Sequence, residues 1–253
     1  MSEIKNIAFN FSTLRSGTSL KIRLFLYIVT FVHAVFMSLK LFNIDFGSSD
    51  DPNMRQYSKL KWKLITAWFN LVTLGYLVIC IYCDWTELTE NTKSIHIYKK
   101  LKKIKSFSFS SVIFPTTAFA DILFWTIWHH KKELMMPLSA DKYITIWDQH
   151  SMHTVSLIFV LFELIFVNRE KPKNKVAEIF VMITFITLYI ITCLVSLLNG
   201  EYVYPCFKLF SFYKLLLLML YTYISHLFYY TIQWAIVDLI NNNYQGNISQ
   251  KLT

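Results

Sequence analysis

The chain has 253 residues, 55% hydrophobic and only 16% charged, with a net charge of +9 and four cysteines. Soluble domains carry nearer a quarter charged residues, and four cysteines in a chain this apolar make no disulfide framework. A hydrocarbon core about 30 Å thick takes roughly 20 apolar residues per helix, so membrane spans are sought before domains.

The first apolar run, Ile22–Phe42, is too long for a cleavable signal core and lacks a small-residue cleavage site, so it reads as retained. The second, Leu64–Tyr82, carries Thr66 near its start, then Asn70 and the Cys80/Cys83 pair. That CxxC lies on an apolar helix and reads as small apolar filler rather than a redox or zinc motif. The third, Phe107–Trp128, follows the run "KKLKKIK" at 99–105 and holds Pro115 and Asp121. The fourth covers about 150–167, the fifth Val176–Leu198 and the sixth Leu215–Ile240. These runs are continuous rather than alternating, which favours helices over a β-barrel. No segment is left for a separate soluble domain. The expectation is an all-α fold, one polytopic membrane domain over 1–253 built as a bundle of six transmembrane helices.

Lys and Arg set the expected orientation. Fifteen fall in the N-terminal segment (Lys5, Arg15, Lys21, Arg23), the loop after span two (Lys93, Lys99, Lys100, Lys102, Lys103, Lys105), the loop after span four (Arg169, Lys171, Lys173, Lys175) and the tail (Lys251); the remaining ten lie on the other face. Both termini are therefore expected in the cytosol. The "KKLKKIK" run reads as a topology signal beside anionic headgroups, and no nucleic-acid partner is expected. Two glycosylation sequons, Asn10-Phe11-Ser12 and Asn247-Ile248-Ser249, then fall on the cytosolic side and should stay unused.

On this topology the chemistry-bearing residues gather at one leaflet boundary: Thr66, Asp121, Trp128, His129, His130, His150, His153 and the "EYVYP" stretch at 201–205. A Thr in a membrane helix ordinarily bonds its own backbone carbonyl one turn back. To act as a nucleophile it needs a base, and a His at matching depth is the usual one at neutral pH. Thr66 and His153 meet the depth condition. Asp121 would either orient a histidine across the bundle or bond a neighbouring Ser or Thr. His33 and His226, single on apolar helices, read as interhelical hydrogen-bonding groups. Glu163, near mid-bilayer, reads as protonated or paired.

Four stretches in chain order resemble one known family: "KLITAWFNLV" with "ICIYCDW", then "FPTTAFADILFWTIW", "WDQHSMHTVSLIFVLFE" and "GEYVYPCF". They are similar to the androgen-induced and androgen-dependent TFPI-regulating family of multi-pass membrane proteins, above all in the His-x-Met-His-Thr element. The resemblance implies threonine hydrolysis of fatty-acid esters of hydroxy fatty acids, with Thr66 as nucleophile, His153 as base and His150 in an orienting or hydrogen-bonding role. Asn70, one turn beyond Thr66, and His150 are the candidates to stabilise an oxyanion. Departures from the family pattern are Phe69, where an Asp or Asn is common, Gln149 in place of Asn, and His130, Lys131, Lys132 and Glu133 in place of Tyr-Asp-Arg-Glu.

The expected function is thus an integral membrane hydrolase of lipid esters. Its substrate enters from the bilayer, its partners are membrane lipids, it uses no cofactor or metal, and on family analogy it resides in the endoplasmic reticulum. Two alternatives stand beside it. One is a non-enzymatic scaffold or transporter. The other is a histidine-box metal enzyme using His129, His130, His150 and His153 with Asp141 and Asp148.

Overall fold

The structure is a computed structural model and describes residues 17–89 and 95–252. Lys5, Arg15, Lys93 and the first sequon lie outside the described residues, as do the side chains of Lys251 and the second sequon.

Helix α1 (Gly17–Asn43) is followed by short α2 (Pro52–Leu60), a 3-10 turn at Lys61–Lys63, and α3 (Ile65–Leu88). Helix α4 (Ile95–Ser108) runs through a π-helical turn, Phe109–Ile113, into α5 (Phe114–Lys131). Helices α6 (Ile146–His153) and α7 (Val155–Phe166) form the fourth crossing, α8 (Val176–Leu198) the fifth and α9 (Phe212–Leu252) the sixth. Six helical runs are long and apolar enough to cross a membrane, and no strand occurs among the described residues. This is an all-α, multi-pass membrane protein.

The third crossing is the axis of the bundle. In its apolar stretch 78% of residues are buried, against 17–39% in the others, so the other five crossings surround it. Around it pack Tyr27, Leu77, Phe159, Met182, Ile186 and Trp234, one from each neighbour or two. Its π turn has a plain cause. Pro115 lacks an N–H and cannot donate to the carbonyl a turn earlier. The helix widens for one turn, with the Phe114 N–H reaching the Phe109 carbonyl.

Helix ends differ from the sequence-based spans in one informative place. The "KKLKKIK" run is not a loop but part of α4. Lys99, Lys100, Lys102 and Lys103 face outward, while Lys105 is buried. Its Nζ lies 3.5 Å from Asp84 and 3.8 Å from Glu163. Arg169, counted above as a loop cation, is buried as well, 2.7 Å from Glu163 and stacked 3.6 Å over the Phe109 ring. Burial opposes the Arg169 charge, but Tyr76 and Glu163 outweigh it and its pKa rises. Topology signals would have stayed hydrated; these two cations follow the acids placed inside the bundle. Arg23 joins the cluster through Asp84 at 2.5 Å, and Tyr27 and Tyr76 both donate to Glu163. Five crossing or flanking elements are tied together at this end.

The opposite end is roofed. Phe46, Met54, Tyr57, Met136, Ala140 and Ile144, from the segments before α3 and before α6, form a separate apolar cluster. Ser139 donates to Asp51, and that bond together with the Asn53 N–H holds the Asp51 carboxyl below the usual range. Asp148 closes a capping box with Thr145 and pairs with Lys40 at 2.5 Å, fastening α6 to the end of α1. The roof should face the lumen if the Lys and Arg distribution sets orientation. A cysteine or glycosylation tag at exposed Lys142 is then expected to react from the lumenal side, and cytosolic reactivity would reverse the topology.

Candidate active site

Thr66 is the second residue of α3. Leu64 just before it is extended (φ −72°, ψ 141°), so the chain leaves the 3-10 turn and restarts as a helix at this point. Tyr204 fixes the restart: its Oη accepts the Ile65 N–H at 3.3 Å and bonds the Tyr189 hydroxyl at 3.0 Å. Burial keeps that phenol protonated, free to give and accept. Tyr204 is held in turn by a Schellman turn at the end of α8. Gly200, at φ 73°, lets the Glu201 N–H reach the Ser196 carbonyl at 2.8 Å, and Glu201 then pairs with Lys63 at 2.5 Å. The "GEYVYP" stretch thus positions the start of α3.

Membrane threonines such as Thr126, Thr184, Thr192, Thr222 and Thr231 each donate to the carbonyl four residues back at 2.7–3.0 Å. Thr66 makes no such bond, because four residues back lies the 3-10 turn. Its hydroxyl has no hydrogen-bond partner among the described residues and lines two cavities. The first-turn backbone N–H of Thr66 likewise has no carbonyl one helical turn behind it.

His153 ends α6, next to a one-residue irregularity at Thr154. Its Nδ1 lies 2.8 Å from Asp121 Oδ1, and Ser156 donates to Asp121 Oδ2 at 2.5 Å. Asp121 is fully buried and His153 is 4% exposed. Against a carboxylate Nδ1 carries the proton, which leaves Nε2 with its lone pair free. The imidazole lies flat on Phe124, with centroids 3.6 Å apart and planes at 9°. One carboxylate and one ring therefore fix both tautomer and tilt. The sequence left two roles open for Asp121; the carboxylate performs both.

Two cavities, about 570 and 190 Å³, flank this point. The larger lies between α1, α3 and the fourth crossing under the roof; its volume falls within the range of small-molecule sites. The smaller lies among α5, α8, α9 and the 205–210 segment, where burial pushes the Cys206 thiol up to about 11. Thr66, Phe124, Met135, His153 and Tyr204 line both.

Other sequence-derived candidates fall elsewhere. Asn70 lines the larger cavity, and its amide has no hydrogen-bond partner among the described residues. His150 lines neither cavity; its Nδ1 pairs with Thr154 Oγ1 at 2.9 Å and its ring packs on Trp125 and Trp147. His129 bonds the Trp125 carbonyl. No group of three or more His, Cys, Asp or Glu converges in metal-binding fashion among the described residues. His226 bonds the Thr222 carbonyl of its own helix, and Nε2 of both His33 and His226 is buried without a partner, so neither makes the interhelical bond expected of it. Cys80 and Cys83 are buried free thiols. Tyr204 lies in the "EYVYP" stretch that the sequence pointed to, but its bond to the start of α3 was not legible there, because no spacing singles out one tyrosine of the stretch.

The profile of the family described as FAR-17a/AIG1-like protein matches residues 22–236. The chain belongs to this family. Among its FAR-17a/AIG1-like relatives, the human androgen-induced gene 1 protein is 25% identical over 177 residues, 68% of this chain and 74% of the relative. The mouse androgen-dependent TFPI-regulating protein is 30% identical over 145 residues, 56% of this chain and 63% of the relative. Its human counterpart is 27% identical over 160 residues, 60% and 64%. The match to these TFPI-regulating proteins thus spans less than two thirds of their length. No solved structure matches the chain. The matched region includes Thr66, Asp121 and His153.

Proposed function

We propose that this protein is an integral membrane hydrolase of lipid esters, of the class of fatty-acid esters of hydroxy fatty acids that the family resemblance implies. One observation carries the reading: an unbonded Thr66 hydroxyl and a carboxylate-oriented His153, from different crossings, share the junction of two apolar cavities. An ester has two arms, and at such a junction its carbonyl sits beside Thr66 with one arm in each cavity. The substrate enters from the bilayer, and the working partners are membrane lipids. The endoplasmic reticulum, with both termini in the cytosol, is the location this reading carries.

The chemistry needs no further group. His153 Nε2 takes the Thr66 hydroxyl proton as Oγ1 attacks the ester carbon. Asp121 holds the imidazolium that forms. The Asn70 amide and the first-turn N–H of Thr66 are the donors available to the oxyanion. The imidazolium then returns its proton to the departing alkoxide, leaving an acyl-threonine. A water deprotonated by His153 attacks that ester, releases the fatty acid and restores the threonine. His150, outside both cavities, supports α6 through Thr154 rather than moving protons.

A panel of fatty-acid esters presented to membranes with wild type or Thr66→Ala tests the activity. The two histidines should separate within it. His153→Ala is expected to lower turnover by about 10³-fold or more, and His150→Ala to leave substantial activity. Equal and total loss at both would point away from this division of labour. Hydrolysis absent in wild type would leave the scaffold or transporter reading.

A further inference from the structure

The larger cavity is lined by one side chain of fixed charge among the described residues, Lys61, and the smaller by none. Every other lining residue is apolar, hydroxylic, thiol, amide or imidazole. A cation on an apolar wall at membrane depth is costly and calls for a partner.

The neighbours of Lys61 have theirs. Lys40 pairs with Asp148 and Lys63 with Glu201, each at 2.5 Å. Lys61 makes no ion pair among the described residues. The nearby Asp45 stays outside ion-pair distance and accepts the Gly47 N–H at 2.9 Å instead. Lys61 Nζ reaches the Leu41 and Phe42 carbonyls, both at a long 3.3 Å, at the end of α1. It is ringed by Phe42, Phe46 and Trp62 with centroids at 6.0, 5.3 and 5.6 Å. An ammonium has three protons, so this arrangement leaves one unassigned. Phe42 and Trp62 both line the cavity and are 55–62% exposed on the outside of the bundle. Lys61 therefore stands at the mouth of the cavity.

We infer that Lys61 is the anion-recognition residue of the larger cavity, binding a free carboxylate on the substrate arm that lies there while the other, uncharged arm fills the smaller cavity. The inference rests on the ester-hydrolase reading and adds to it a residue that orients the ester. With its carboxylate at Lys61, five positions before Thr66 in the chain, the substrate enters in one direction only. The acyl group transferred to Thr66 is then the uncharged one, and the charged hydroxy acid leaves toward the mouth.

Binding is measured on purified full-length Thr66→Val protein, in which turnover of the ester is expected to be lost, by quenching of tryptophan fluorescence. The probes are the palmitoyl ester of 12-hydroxystearic acid and the methyl ester of the same compound. Lys61→Gln keeps a donor for the Leu41 and Phe42 carbonyls and removes the charge; Lys61→Arg keeps the charge. The free acid is expected to bind Lys61→Gln about tenfold or more weakly, as befits loss of a charge-assisted hydrogen bond. The methyl ester should bind all variants alike, and Lys61→Arg should restore the acid. An unchanged acid-to-methyl-ester ratio in Lys61→Gln overturns the inference, whether Lys61 merely caps α1 or attracts lipid headgroups. So does failure of the acid to bind with lysine in place. A wild-type protein that binds the acid through Lys61 yet hydrolyses nothing would sink the hydrolase reading and leave the anion site standing.

Discussion

Thr66→Val is expected to abolish ester hydrolysis, by on the order of 10⁴-fold, in a protein that still inserts and folds. The substitution removes the hydroxyl at nearly constant shape. It breaks no hydrogen bond, because the Thr66 hydroxyl has none among the described residues, so stability should hardly change. Thr66→Ser keeps the hydroxyl and should keep activity. Nucleophile and base act as one unit, and their losses should not add: once Thr66 is Val, His153 has no proton to take, and Thr66→Val/His153→Ala should be little worse than either alone. The measurement is turnover of a fatty-acid ester by purified protein. Wild-type rates in Thr66→Val would make Thr66 a helix-packing residue and dismiss the mechanism.

The largest stability effect is expected at the other end of the bundle. Glu163 is fully buried and accepts from Arg169, Tyr27 and Tyr76, with Lys105 3.8 Å away. Glu163→Ala would take away the ion-pair partner of Arg169 and leave Lys105 to share Asp84 with Arg23. Removing one partner of a buried ion pair costs about 3–5 kcal/mol, since the charge left behind stays desolvated. The purified protein should lose its thermal transition or show it far lower. The exposed pair Lys171–Asp238 is the control: Lys171→Ala should cost about 1 kcal/mol or less. Equal melting of Glu163→Ala and wild type would mean that the cluster is hydrated and does not hold the bundle.

What could be read from the sequence follows physical scale. Crossing a bilayer takes some twenty apolar residues in a row, a constraint local in sequence, and all six crossings were legible for that reason. Lys105 and Arg169 were misplaced because burial of a cation depends on acids from other helices, and no pattern around either residue carries that information. Thr66 and His153 were singled out as candidates by depth and by the resemblance of their flanking motifs, not by contact. Asp121 could be narrowed to two roles but not decided, since its partners come from a helix 32 residues further along. Lys61 was hidden by company. It is one of 25 basic residues, and only three-dimensional pairing of its neighbours sets it apart.

The buried third crossing bears on how the chain is made. A ribosome delivers the chain from its N-terminus at about 5–20 residues per second. Asp121 therefore reaches the membrane roughly 2–6 s before His153 exists, 32 residues later. Lys105 waits longer still for Glu163, and Ser110 longer again for Glu178. During that interval the third crossing lacks His153, Glu163 and Glu178 and three of the five helices that later wrap it. Bare lipid is a poor host for such a segment, so it must linger at the insertion machinery or rely on the pair between Lys105 and Asp84, the one acid of that cluster already synthesised, on α3. Nascent chains stalled before residue 150 would then hold the third crossing weakly, and release it into the bilayer only once the fourth has emerged.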